Sequence, residues 1–200
     1  MKYKYVVIER EYGSGGTEIG KLLSEKTGIP CYGNEIQEAV SKNLNIPVSE
    51  IQHYEESATN SFLYSLYAFS KMGSESGELL SKEDQVFVEQ QKLIKEYALH
   101  GPAIFVGRCA AKTLGTDGVL TVFIHADKEC RKQRIIKEYG IAENSAESTM
   151  AKYDRKRKSY YSANTGKKWT DRSNYHMILD SGKLGIESCV KAIQSALEQV

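Results

Sequence analysis

The sequence predicts an α/β protein built on a parallel β-sheet with helices on both faces. Three observations carry that expectation. Short apolar runs (Tyr5-Val6-Val7-Ile8, Ala103-Ile104-Phe105-Val106 and Leu120 to His125) have the length and composition of strands buried on both faces. Longer stretches of helical periodicity separate them, and a glycine turn, Gly13-Ser14-Gly15-Gly16, leads from the first run into a helix. Ligands of such sheets bind at the carboxyl ends of the strands, the edge at which both Gly13 and Arg108 would stand.

The first strand stops at charged Glu9-Arg10-Glu11, and a helix from roughly Thr17 to Thr27 follows, ended by Gly28. Ile29-Pro30-Cys31-Tyr32 reads as a short second strand. From Glu35 to His100 the pattern is helical: Ile36, Ala39, Val40 and Leu44; then Phe62, Leu63, Leu66, Tyr67 and Phe69; then Val86, Val88, Leu93, Ile94, Tyr97 and Ala98. Pro47 and a loop over 73–81 divide these, so the region is a helical insertion between strands. Its aromatic cluster, Phe62, Tyr64, Tyr67 and Phe69, suits a base pocket, although packing is the commoner use of such a stripe. Strands resume at Ala103 and Leu120. Asp127 is placed to cap a helix from Lys128 to about Tyr139, closed by Gly140, in which Arg131 and Arg134 share a face. Another helix runs through Tyr161, a loop carries the single tryptophan, Trp169, and Tyr175 to Leu179 forms the last strand. An amphipathic helix, Ile186 to Leu197, ends the chain.

The glycine turn has the layout of a phosphate-binding loop: glycines let the backbone approach a ligand closely, and the first N–H groups of the helix face the same point. Its fit to the Walker A pattern GxxxxGK(S/T) is incomplete. With Thr17 at the hydroxyl position, Gly15 is the second glycine, Arg10 stands at the first and Gly16 takes the place of the lysine. Alone, the turn is also compatible with an ordinary strand-to-helix connection.

Composition narrows the function classes. Two hundred residues suit one domain able to bury a full core. Cys31, Cys109, Cys130 and Cys189 lack any CxxC spacing, and the histidines are equally dispersed, so reduced thiols in the cytoplasm are expected and a zinc site is not. No apolar run approaches the ~20 residues of a membrane span, and no signal peptide is seen. Net charge is +1, yet eight basic residues lie between Lys152 and Arg172 against Asp154 and Asp171, which points to an anionic ligand nearby. An arginine ending a buried strand at the ligand edge, Arg108, needs an anion too. Arg131 and Arg134, taken alone, equally suit a solvated helix face.

Three segments together resemble the cytidylate kinase-like family of small bacterial proteins: EYGSGG at Glu11 to Gly16, FVGRCA at Phe105 to Ala110, and DRKRKSYYSANTGKKW at Asp154 to Trp169. The helix segment Glu129 to Arg134 also resembles the ExRxxR of bacterial cytidylate kinases. The resemblance spans essentially the whole chain. It implies a P-loop nucleoside monophosphate kinase fold: about five parallel strands, a monophosphate-binding helical insert over about 33–100, and a lid over about 141–158. It further implies that Arg10, Gly13, Ser14, Gly15, Gly16 and Thr17 wrap the phosphates of ATP, that the Thr17 hydroxyl sits on Mg²⁺, and that Arg108 holds the phosphate of a nucleotide acceptor. Arg131, Arg134 and Arg157 would meet the charge of the transferring group, work that suits guanidinium, which stays charged and grips two oxygens at once. The implied activity is ATP-dependent phosphoryl transfer to a nucleoside monophosphate, CMP or dCMP first, with Arg10 substituting for the missing lysine. Two other acceptable readings are a nucleotide-binding module without catalysis and a kinase for a non-nucleotide acceptor. A nucleic-acid surface on the basic run ranks last.

Overall fold

A computed structural model describes residues 2–56 and 81–198. The aromatic cluster Phe62, Tyr64, Tyr67 and Phe69 lies outside them. Among the described residues, five strands form one parallel sheet in the order β2-β3-β1-β4-β5: β1 Tyr5–Arg10, β2 Cys31–Tyr32, β3 Ala103–Val106, β4 Val119–His125 and β5 Met177–Asp180. The helices are α1 Gly16–Thr27, α2 Asn34–Leu44, α3 Val48–Glu56, α4 Lys82–Leu99, α5 Ala110–Leu114, α6 Lys128–Tyr139, α7 Glu143–Thr165, α8 Ser181–Leu184 and α9 Ile186–Glu198.

Strand alternation divides the core into two layers. Val6 and Ile8 of β1 join Ile104, Leu120, Val122 and Ile124 against α1 (Ile19, Leu23) and α9 (Cys189, Val190, Ile193, Leu197). Val7, Phe105 and Val119 face the other way, onto Ile36 and Val40 of α2 and Val86, Leu93 and Ile94 of α4. In α4, Phe87 rather than Val88 joins the buried stripe, since the face turned to the sheet runs through positions 86, 87, 90, 93 and 94.

The terminators act as the sequence predicts. Gly28 and Gly140 take left-handed conformations past α1 and α6, and the Asp127 carboxylate accepts the Cys130 N–H 2.8 Å away at the start of α6. Boundaries shift where tertiary partners override local pattern. β1 continues beyond Ile8 through Glu9 and Arg10 because β4 is long enough to pair with them, at Phe123 and Ile124. β5 begins only at Met177: the Tyr175 hydroxyl is tied to the Trp169 carbonyl (2.6 Å), holding the preceding stretch as a 3₁₀ turn, Arg172–Asn174. The short α5, which the sequence pattern misses, starts directly at the end of the β3 turn.

Candidate active site

The loop between β1 and α1 holds Gly13 and Gly15 at φ +78° and +77°, conformations that side chains bearing a Cβ resist. The buried Ser14 turns inward and its hydroxyl donates to the Glu11 carbonyl (2.9 Å). The Ile19 N–H bonds to the Gly15 carbonyl, so the N–H groups of Gly16, Thr17 and Glu18 lie in the first turn, where a helix offers them no internal partner. A helix start with this geometry is suited to an anion, as the sequence leads one to expect of a phosphate-binding loop.

The three helix arginines converge on the same loop from its carbonyl side. Arg131 donates to the Tyr12 carbonyl (3.1 Å), Arg134 to the Gly13 carbonyl (2.8 Å) and Arg157 to the Arg10 carbonyl (2.9 Å). Arg131 is itself held by Asp154, 2.6 Å away, and by Glu11 at 3.4 Å. The second oxygen of Asp154 accepts the Tyr12 N–H at 2.7 Å. Arg157 also lies over the Tyr12 ring, which stacks on Tyr153 at 4.4 Å. Asp154 and three guanidiniums thus join α6 and α7 to the loop. With the Tyr12 N–H taken by Asp154 and the Ser14 N–H by the Glu11 carbonyl, the N–H groups left to an anion are those of the first turn of α1.

The missing lysine has a steric explanation. A Cβ on Gly16 would stand 2.5 Å from Cβ and 2.9 Å from Cγ of Arg10, so the Arg10 side chain occupies the space a residue at 16 would need. Farther out, the Arg10 guanidinium crosses Gly107 so closely that a Cβ there would fall on its Nη1. Two glycines from distant segments make the channel in which Arg10 runs from the loop toward the end of β3.

At that end Arg108 and Cys109 both adopt left-handed φ, +58° and +54°. Each non-glycine residue held there costs about 1–2 kcal/mol, a cost that often accompanies a functional turn. The strained pair carries the chain from β3 straight into α5 and brings Arg108 to a cavity of about 290 Å³, where Arg10, Asn34, Gln37, Lys156 and Arg157 also converge. Arg108 donates to the Val106 carbonyl (3.2 Å) and its own carbonyl accepts from Gln91. Tyr160, Tyr161 and Trp169 pack in one cluster: Tyr160 donates to Gln90 (2.6 Å) and Trp169 meets Phe123 edge-on at 5.1 Å.

One residue of the cavity escapes sequence reading. Glu9 is only 6% exposed, and its carboxylate accepts the Trp169 indole N–H at 3.2 Å. Burial pushes its carboxyl above the ordinary range; the charges of Arg10, Arg157 and Arg108 and the indole bond oppose that. A signal existed: the alternation of β1 puts position 9 on the same face as Val7, the face covered by α2 and α4, where a charge is costly. Burial likewise works against the Arg157 guanidinium, opposed by Asp154 and Glu9.

Magnesium, which accompanies ATP in kinases, would find Thr17 as its protein ligand at the loop. Among the described residues no group of three or more His, Cys, Asp or Glu side chains is placed to hold a metal, and β3 is followed by Gly107-Arg108 rather than an acid. That donor set fits an ion carried chiefly by nucleotide phosphates and water, as Mg²⁺ commonly is.

Comparison with known proteins agrees with this architecture. The cytidylate kinase from Methanocaldococcus jannaschii is 25% identical over 193 residues, covering 94% of each chain. A crystal structure of an uncharacterized protein from Eubacterium ventriosum aligns with a TM-score of 0.73 at 23% identity, over 98% of this chain and 99% of that one. Shikimate kinase from Bacteroides thetaiotaomicron aligns at 0.53 with 16% identity over 98% of each chain, and TT1252 from Thermus thermophilus at 0.57 with 17% identity over both chains in full. These structural likenesses establish a P-loop kinase fold. The family model of the cytidylate kinase-like family matches residues 5–183, and the chain belongs to that family.

Proposed function

We propose that the protein is an ATP-dependent nucleoside monophosphate kinase with CMP or dCMP as its acceptor. The observation that carries this reading is the adjacency of two anion sites: the first-turn N–H groups of α1 and, one channel away, the cavity bearing Arg10, Arg108, Lys156 and Arg157. Phosphoryl transfer asks a protein mainly to align two phosphates and to neutralise the charge between them. In the proposed reaction an oxygen of the acceptor phosphate attacks the γ-phosphorus of ATP, the bond to the β,γ-bridging oxygen breaks, and ADP departs without a phosphoenzyme. Gly13 to Thr17 bind the donor phosphates, and the Thr17 hydroxyl would hold Mg²⁺, which would offset phosphate charge. Arg10 takes the role of the absent lysine, since its guanidinium extends from the loop to the cavity. Arg108 holds the acceptor phosphate. Arg157, with α7 bound to the loop through Asp154, supports a lid over about 141–158, and α2 with α3 and α4 belongs to the acceptor-binding insert of about 33–100. Arg131 and Arg134 serve by holding the loop in shape. No helix among the described residues is long and apolar enough to cross a membrane.

The test is ADP release with ATP and Mg²⁺ against a panel of nucleoside monophosphates, with Arg108→Ala as control. Turnover on one pyrimidine monophosphate, reduced ~10²- to 10³-fold in the variant, is expected. Gly16 favours a second reading, a nucleotide-binding module without catalysis; it predicts that ATP raises Tm while the whole panel gives no product.

A further inference from the structure

Glu9 is not accounted for by phosphate binding. Among the described residues it is the one acidic side chain lining a cavity with four cationic ones, where a carboxylate repels the very anion those cations attract. It is also 94% buried, and burial of a charge is costly unless the charge is paired and hydrogen-bonded, here by the neighbouring arginines and Trp169. Two features argue that its use is directional. First, the Trp169 indole N–H, a neutral donor 160 positions away, fixes the orientation of one carboxylate oxygen; a plain countercharge needs no such anchor. Second, a carboxylate has about four lone-pair sites, and one indole N–H leaves acceptor capacity for a ligand in the cavity. Arg108 and Arg157 already donate to the main-chain carbonyls of Val106 and Arg10. Glu9 stands at the edge of this cavity, forming with Cys109 and Tyr161 the wall it shares with a second of about 380 Å³.

We propose that Glu9 is a specificity-determining residue of the acceptor pocket, its carboxylate accepting a hydrogen bond from an O–H or N–H on the non-phosphate part of the acceptor. This rests on the nucleotide reading above. The phosphate goes to the guanidiniums and the donor group to Glu9, so an acceptor lacking that donor leaves a buried carboxylate without its partner. Glu9→Gln reverses the polarity: Trp169 retains the amide oxygen, and the NH₂ turns a hydrogen-bond acceptor into a donor.

The experiment is a binding cycle, independent of turnover. Calorimetric Kd values are measured for CMP, 2′-deoxy-CMP, 3′-deoxy-CMP and UMP on the parent chain and on Glu9→Gln, with Trp169→Phe as a variant that keeps the charge but frees its orientation. A hydrogen bond to a charged group corresponds to roughly 10- to 10²-fold in affinity. The parent is expected to bind one of the three altered ligands that much more weakly than CMP, Glu9→Gln to lose the difference, and Trp169→Phe to narrow it. Equal weakening of all four ligands by Glu9→Gln would mean that the residue acts only on the arginines, and would overturn the proposal. So would a parent chain that binds all four alike or binds none. Failure of the kinase reading shows separately, as tight monophosphate binding without ADP release.

Discussion

Substituting Gly16 tests the reasoning about Arg10 most sharply, because sequence pattern and structure make opposite forecasts. A residue in the first turn of a helix ordinarily gains up to about 1 kcal/mol when glycine becomes alanine, and lysine at 16 would complete the Walker pattern. Here the added Cβ would stand 2.5 Å from the Arg10 Cβ and 3.4 Å from the Ile124 Cβ. Carbon atoms in contact prefer about 3.5–4.0 Å, so Arg10 has to move by about 1 Å at its first side-chain atom, where it is least able to swing aside. Overpacking of that kind costs about 1–3 kcal/mol, and after the helix gain a net loss centred at about 1 kcal/mol remains. For a chain of this length that lowers Tm by roughly 2–4 °C in a thermal melt. In the ADP-release assay Gly16→Lys is expected to be slower than the parent, and Arg10→Ala to lose ~10²- to 10³-fold. Arg10→Ala with Gly16→Lys, which clears the channel before filling it, should recover part of that loss. A Gly16→Ala chain as stable as the parent, or a Gly16→Lys chain that is faster, would refute the channel argument.

Gly107→Ala attacks the same channel from its far end, where a Cβ collides with the Arg10 guanidinium; activity should fall about as far as in Arg10→Ala, measured by the same assay. Asp154→Asn leaves one of two donors, the Tyr12 N–H or Arg131, facing an NH₂ group, so a loss of about 1–3 kcal/mol is expected in urea unfolding. The pH dependence of stability should change in Glu9→Gln. Burial raises the Glu9 carboxyl, so the folded chain binds a proton more readily than the unfolded one. The contribution is fully present below the ordinary carboxylate value and is lost as pH climbs through the raised one. Urea unfolding across pH 4 to 8 should therefore show a falling component in the parent that is absent in Glu9→Gln, with the variant the more stable at neutral pH; an unchanged slope would contradict the burial of a charged Glu9.

Features of the fold written in local chemistry were legible in the sequence. Apolar runs gave the strands, Gly28, Gly140 and Asp127 gave helix ends, and the three-residue spacing of Arg131 and Arg134 put them on one face, where both meet the loop. The place of Arg108 beside the cavity was legible, because it follows a buried strand at the edge of the sheet where ligands bind. Glu9 was not, because the partner that orients it, Trp169, lies in a loop whose position no periodicity encodes. Nor was the task of Arg131, Arg134 and Arg157 as holders of loop carbonyls, which depends on how α6 and α7 cross the end of the sheet. The missing lysine shows the same limit in its strongest form. Read along the chain, Gly16 is a defect in a motif. In three dimensions position 16 and the Arg10 side chain compete for one volume, and Gly107, 91 residues further on, clears the rest of the path. A cation delivered from position 10 and one delivered from position 16 are therefore alternatives, and the choice between them is recorded at three positions, of which a loop motif inspects only the first two.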